Sequence, residues 1–401
     1  MDADEIITHP ERIQPFFQPV FSADEHMVCG YEILGSYQYG TDYQSLDPFF
    51  QDKSIPEEYR NEVANQLLEK ALDIIAAEKE EFLIFINRDP GQLMSDHGES
   101  FLEIIKNRLS PAQYSRVVLQ LTDREHTEAF DSFLHVLTYY KTYGIKISLK
   151  HIGEERLLDR FALISPHILV VSLEELKKSG SDAMQITLYS LGILARKIGA
   201  NLLFESIDRD YQLRFALKNG GRYYQGGYLA LPGSSFIPKD LLKEKIKEES
   251  QRYISFEMRK LEIVYQRTMK INEDIQLLLA KHKKFNTYES LLKSLTVKLE
   301  SMCFRLYICN EEGYQKSANF LKKDGSWTVQ EEYLEKNWSW RPYFLENIIR
   351  MRNEKKGILS DLYSDIETGE TIRTFSYPLD GSHYLFLDLS YEYLYENEEL
   401  L

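Results

Sequence analysis

Six polar side chains in the N-terminal part of the chain each close a short apolar run: Glu32, Asn87, Gln120, Lys150, Glu205 and Gln225. Carboxylates can hold cations or act as bases, amides both donate and accept, and an ammonium pairs with phosphate. Alone, each is only a solvated strand end. Converging on one mouth, they make a polar pocket. Val170, where a seventh would stand, breaks the series. A second cluster, Trp338-Ser339-Trp340-Arg341-Pro342-Tyr343-Phe344, sets aromatic rings beside one guanidinium. Such a group can clamp a small carboxylate or anion; the alternative is an aromatic core with a capped arginine. Trp340, Arg341, Tyr343 and Asp388 are the candidate residues of this pocket.

The elements that must position the first cluster follow from periodicity. Apolar runs at Pro15–Val20, Met27–Ile33, Phe82–Asn87, Arg116–Leu121, Ile145–Leu149, Ile168–Val171, Asn201–Glu205 and Tyr223–Gly226 read as strands. Helix-period segments lie between most of them: Pro56–Glu80, Gly98–Arg108, Thr127–Tyr143, Ser181–Lys197 and Arg209–Lys218. Only Ser22–His26 separates the first two strands, too little for a crossover helix, so they should pair antiparallel. The pattern predicts an α/β fold, a (β/α)8 TIM-like barrel with an antiparallel first strand, in which chemistry sits at the carboxyl ends of the strands. A doubly wound open sheet is the alternative, but no glycine-rich phosphate loop follows any strand.

After Leu231-Pro232-Gly233 the character changes. Lys239–Lys284 has no Pro or Gly, and Ile254, Met258, Leu261, Tyr265, Thr268, Asn272, Ile275 and Leu279 alternate by four and three, one helix seam. The seam packs on its own chain or contributes to a dimer. Beyond it, a helix at Tyr288–Met302, strands at Phe304–Cys309, Ile372–Pro378 and Tyr384–Leu389, and a helix at Leu345–Arg352 suggest a small α+β domain of PAS/Cache-like shape. The expected domains are a barrel (1–236), a long connecting helix (237–286) and a sensor-like domain (287–401).

The 401 residues carry 48 Lys and Arg against 63 Asp and Glu, a formal net charge of −15. That balance argues against binding a nucleic-acid polymer. The opening MDADEIITHP has no signal-peptide pattern and no run approaches a membrane span, so a cytoplasmic protein with no membrane partner is expected. Cys29, Cys303 and Cys309 have no metal spacing and read as free thiols.

Six segments, in order, resemble the EAL-domain family. Phe17-Gln18-Pro19-Val20 with Gly30-Tyr31-Glu32-Ile33-Leu34 is similar to its opening "QPI…G-x-E-A-L". Asn87-Arg88-Asp89-Pro90-Gly91-Gln92-Leu93 resembles "N-x-S-P-x-Q-L", and Leu119-Gln120-Leu121-Thr122-Asp123 resembles "L-E-L-T-E". Ile147-Ser148-Leu149-Lys150-His151-Ile152-Gly153 resembles "I-A-L-D-D-F-G" and Phe204-Glu205-Ser206-Ile207-Asp208 resembles "A-E-G-V-E". Last, Gln225-Gly226-Gly227-Tyr228-Leu229-Ala230-Leu231-Pro232 resembles "Q-G-Y-x-F-S-x-P". The resemblance implies a barrel that binds cyclic di-GMP and, in active members, hydrolyses it with divalent cations. It implies ligand contacts from Glu32, Leu34, Asn87, Gln120 and Lys150, and from His151, Glu205, Gln225, Gly226 and Pro232.

The departures carry more information. By resemblance, the metal ligands are Glu32 and Asn87, which are kept, together with acids now replaced by Gln120 and by Lys150-His151. Val170 stands for the lysine of "L-K-I-D" and Ser36 for a phosphate-contacting arginine; Glu205, a candidate catalytic base, is kept. Hard cations want several oxygen ligands, carboxylates among them. The expected cofactor, a divalent cation (Mg²⁺, Mn²⁺ or Ca²⁺), therefore meets an impaired site. The chain is expected to be a cyclic-di-GMP-binding signalling protein with a degenerate phosphodiesterase barrel coupled to a sensor domain. The alternative is a weakly active, metal-dependent phosphodiesterase giving the linear dinucleotide. Lys150 then has two readings, a counterion for the phosphates or a plug paired with Glu32 or Glu205. A homodimer and a small ligand of unknown identity at the C-terminal domain complete the expectations.

Overall fold

The computed structural model describes residues 3–122, 130–150, 162–176, 181–281, 287–341 and 344–400. They divide into two compact units, Met1–Tyr253 and Ile254–Leu401.

The first unit is built on strands β1 (Ile13–Ser22), β2 (Val28–Tyr39), β3 (Asp42–Ser45), β4 (Leu83–Arg88), β5 (Val117–Thr122), β6 (Lys146–Lys150), β7 (Ile168–Ser172), β8 (Asn201–Glu205) and β9 (Gly221–Tyr224). From β2 through β4 to β9 the pairing is parallel, strand by strand. β1 pairs antiparallel with β2 on one side and β9 on the other, which closes the ring. The barrel is therefore the (β/α)8 type with an antiparallel first strand, and the open-sheet alternative fails on that closure. β3, a hairpin arm on β2 turned at Gly40 (φ +61°), has no apolar alternation, and the sequence gives no sign of it.

Helices α1 (Glu57–Ala76), α2 (Glu99–Arg108), α3 (Phe130–Thr142), α4 (Ser181–Ile198) and α5 (Asp210–Lys218) fall between the parallel strands. In α1, Val63, Leu67, Leu68, Ala71, Leu72 and Ile75 form one buried stripe at helical spacing, and Glu57 and Glu58 sit in its first turn, where the helix dipole favours acids. Each large apolar residue so buried contributes roughly 1.5–3 kcal/mol.

Inside the ring is a separate apolar floor of Val20, Phe85, Val118, Ile168, Val170 and Leu203. Side chains alternate across a strand, so residues two positions further on also face inward, one layer up. Phe85 leads to Asn87, Val118 to Gln120, and Leu203 to Glu205. Val170 belongs to the floor, which is why it interrupts the polar series.

Helix α6 runs unbroken from Lys243 to Lys281. Ile271 and Ile275 are buried in the C-terminal core and the Asn272 side chain accepts a hydrogen bond from the Gly357 amide, whereas Ile254, Met258, Leu261 and Tyr265 are exposed. Helices α7 (Tyr288–Lys298) and α8 (Phe344–Glu354) accompany strands β10 (Cys303–Asn310), β11 (Asn319–Lys323), β12 (Ser326–Gln330), β13 (Ile358–Leu359), β14 (Tyr363–Ser364), β15 (Thr371–Ile372), β16 (Thr374–Pro378) and β17 (His383–Leu389). Six of these strands form an antiparallel sheet in the order β12-β11-β10-β17-β16-β13, giving the expected α+β content. Among the described residues no helix is long and apolar enough to cross a membrane.

Candidate functional site

The six polar strand ends meet above the apolar floor, with Glu32 at their centre. Its carboxylate is buried and its Oε1 accepts from Asn87 Nδ2 (2.7 Å), Gln120 Nε2 (3.1 Å) and Lys150 Nζ (2.6 Å). Gln225 Nε2 donates to Oε2. Lys150 Nζ also lies 3.2 Å from Glu205 Oε2, so one ammonium bridges two carboxylates. This is the paired arrangement of the two readings of Lys150. Leu34 lies half-buried on β2, two residues beyond Glu32. Asn87 is exposed at the rim. His151 lies outside the described residues.

The electrostatics follow from the burial. Desolvation works against the ionised form of Glu32, but the Lys150 ammonium and the amides of Gln225 and Asn87 outweigh it and hold the carboxyl below its ordinary range. Burial likewise opposes charge on Lys150, and Glu205 and Glu32 together overcome it and raise the ammonium above its usual value.

Two inward-facing residues escaped the sequence reading. Gln18, directly across from Glu32 in the β1–β2 pairing, donates from Nε2 to the Ala230 carbonyl (2.8 Å) and so anchors the segment after β9. Ser148 lies one layer beneath Lys150 and is fully buried. Counting back two from Lys150 would have found it. Ser36 donates to the Gln44 carbonyl and is committed to the β2–β3 arm.

Gly226 and Pro232 bound that anchored segment. Gly226 has φ +151°, and a Cβ there would sit 2.3 Å from the Ile207 backbone, so only glycine fits. Phe17 and Gly233 exchange backbone hydrogen bonds just past Pro232. Next to Glu205, Ser206 holds φ +60°, a left-handed conformation in which a Cβ costs about 1–2 kcal/mol. Ser206→Gly is expected to stabilise the barrel by about 0.5–1 kcal/mol after the entropy cost of glycine, read as a rise in the denaturation midpoint.

The donor set around Glu32 is already committed to protein partners. The Oε1 and Oε2 atoms of Glu32 already accept four donors, and at the position of the second expected acid Gln120 turns its Nε2 N–H to Glu32 and keeps only a neutral amide oxygen, buried and without a partner among the described residues. A cation reaching both carboxylates would sit beside the Lys150 ammonium. At about 4 Å each unit charge then repels by about 4 kcal/mol in a medium of effective dielectric about 20. Among the described residues no group of three or more His, Cys, Asp or Glu side chains is placed to hold a metal ion.

In the C-terminal unit the expected pocket residues separate. Asp388 is buried and already engaged: Oδ2 accepts from Arg305 Nε (2.5 Å) and Oδ1 from Thr374 Oγ1 (2.6 Å). Arg305 stands directly across from it in the β10–β17 register, also donates to Asp365, and reaches Glu367 Oε2 at 3.0 Å. The structure thus commits the Asp388 carboxylate to Arg305 and Thr374, because a buried guanidinium needs carboxylates and takes this one. Arg341 lies over the rings of Trp338 (4.7 Å) and Trp340 (5.8 Å), and Trp340 is exposed. Tyr343 lies outside the described residues. The cluster was legible in sequence; Arg305, the buried partner of Asp388, was not.

Comparison with known proteins agrees with this fold. Residues 4–232 match the EAL domain, and residues 236–401 match an EAL-domain associated signalling protein domain. The chain is 47% identical over 406 residues to the uncharacterized EAL-domain containing protein YkuI of Bacillus subtilis (strain 168), covering all of both. It is also similar to the crystal structure of B. subtilis YkuI in complex with substrate c-di-GMP and calcium, with 46% identity, full coverage of both chains and a TM-score of 0.95. A complex of the PaMucR phosphodiesterase with c-di-GMP shares 15% identity at a TM-score of 0.50, over 58% of this chain and 97% of that one, a likeness of fold alone. The chain belongs to the EAL-domain family.

Proposed function

We propose that the barrel is a receptor for cyclic di-GMP and not an effective hydrolase of it. The observation that carries this is the bridging of Glu32 and Glu205 by Lys150 inside a ring of amides. The ring keeps the polar mouth that a phosphodiester ligand needs, but a fixed ammonium stands among the groups that would organise a water nucleophile. Support also comes from the relative YkuI, whose crystal structure holds c-di-GMP and calcium. On this reading Asn87, Lys150 and Gln225 contact the ligand, with Leu34 and the Gly226–Pro232 segment beside the bases. The proposal extends to a homodimer, and to a C-terminal unit that senses a small ligand near Trp340 and Arg341.

Calorimetry with cyclic di-GMP, paired with chromatographic analysis of the incubated ligand, tests the barrel. Saturable binding without linear product is expected. Gln225→Ala should weaken binding by about tenfold, the scale of one hydrogen bond. Turnover above about 1 s⁻¹, the low end of ordinary enzymes, would refute the reading and favour the phosphodiesterase alternative.

A further inference from the structure

Two carboxylates from distant strands, Glu32 on β2 and Glu205 on β8, are held together by one ammonium from β6. The amides around them all turn N–H groups toward Glu32, an arrangement suited to an anion that already has its cation. The Lys150 side chain is itself largely buried, 12% exposed, so its charge stays in the ring and is not free to swing into solvent. Among the described residues Glu32 and Glu205 are its partners, and an ammonium has a third N–H to offer an anion arriving at the mouth.

We infer that Lys150 is a resident cation that excludes divalent metal ions from this site and makes anion binding there independent of them. The ligand class is a phosphodiester, and that part of the inference rests on the receptor reading above; the exclusion of metal does not. A mobile ion would be lost to a chelator and regained with supply. A tethered ammonium is neither, so occupancy of the mouth should follow ligand concentration and ignore metal concentration.

The experiment uses the full chain in two arms. In the first, Mg²⁺, Mn²⁺ and Ca²⁺ alone are titrated by calorimetry and by thermal shift, against NaCl of matched ionic strength. Wild type should give no saturable binding and no metal-specific shift in Tm, and Lys150→Asp should gain both. Saturable metal binding to wild type that Glu32→Gln abolishes would overturn the inference. Should Lys150→Asp fail to fold, the wild-type titration with its Glu32→Gln control still decides. In the second arm, cyclic di-GMP is titrated in EDTA and in excess Mg²⁺. Equal affinity within about twofold supports metal independence, and a loss of tenfold or more in EDTA overturns it. Absence of binding in both buffers would refute the receptor reading, and with it the phosphodiester part of the inference; the first arm then decides the exclusion of metal alone.

Discussion

Replacing Arg305 by methionine should unfold the C-terminal unit's core more than any other single change there, costing about 3–5 kcal/mol. The guanidinium is the common partner of Asp388, Asp365 and Glu367, and both aspartates are buried. Removing it leaves two carboxylates in a low-dielectric interior with hydroxyl and amide donors only, from Thr374 and Thr368. Against a total of about 5–15 kcal/mol for an ordinary domain, that is a large share. All three tryptophans, Trp327, Trp338 and Trp340, lie in this unit, so indole fluorescence during urea unfolding reports on it selectively. A midpoint unchanged from wild type would refute the argument. The same network sets an acid limit. Burial opposes ionisation of Asp365, but Arg305 and the Thr368 donors outweigh it and keep its carboxyl below the ordinary range. A depressed carboxyl contributes stability above its unfolded pKa, near 3.9 for Asp, and loses it as pH falls through the folded value. The wild-type unit should therefore weaken below about pH 4, and Arg305→Met should flatten that dependence.

The second large effect belongs to the barrel. Lys150→Met leaves Glu32 buried with amide donors alone and should cost about 3–5 kcal/mol at neutral pH. The double variant Glu32→Gln/Lys150→Met should recover a substantial part, since the remaining groups are neutral or, like Glu205, less deeply buried. The signs bound the window in which the pair works. Glu32 is depressed, so its contribution is lost as pH falls below about 4; Lys150 is raised, so its contribution is lost only as pH rises beyond the usual lysine range near 10.4. Circular dichroism at 222 nm follows the helices of both units and tryptophan fluorescence the C-terminal one alone, so a transition seen only by dichroism belongs to the barrel. Additive single and double effects would show that Glu32 and Lys150 do not interact.

Much of the barrel was legible because its strands carry their evidence locally. Asn201–Glu205 was read with the bounds observed, and the short Ser22–His26 link correctly forced β1 and β2 antiparallel. The polar strand ends were legible for the same reason, since alternation on a closed sheet puts every second residue inside. That Lys150 would bridge Glu32 and Glu205 together was not, because either carboxylate alone satisfies its charge and the sequence does not give the depth of the site. The pairing of Asp388 was hidden for a different reason. Its partner Arg305 lies 83 residues away, and nothing short of the β10–β17 register brings them opposite one another. The β11–β12 hairpin shows the limit of patterning. Asp324-Gly325 forms its turn, but β12 (Ser-Trp-Thr-Val-Gln) alternates over only five residues and β11 (Asn-Phe-Leu-Lys-Lys) sets its two apolar residues side by side, so neither stands out as a strand.

The hydrogen bonds converging on Glu32 join it to residues 55, 88, 118 and 193 positions away in the chain. Contacts at such separations cost loop entropy before they return any energy, and chains dominated by them fold slowly. The Asn87 bond needs only β4 beside β2, but the set cannot be complete until β9 has come round to β1 and brought Gln225, so the carboxylate gains its last donor late in assembly. Its environment is a kinetic marker for closure. A probe of Glu32, such as a labelled carboxyl followed by NMR during refolding, should stay in its unfolded-like state while the intermediate strands are already protected from exchange, and switch only with the final pairing.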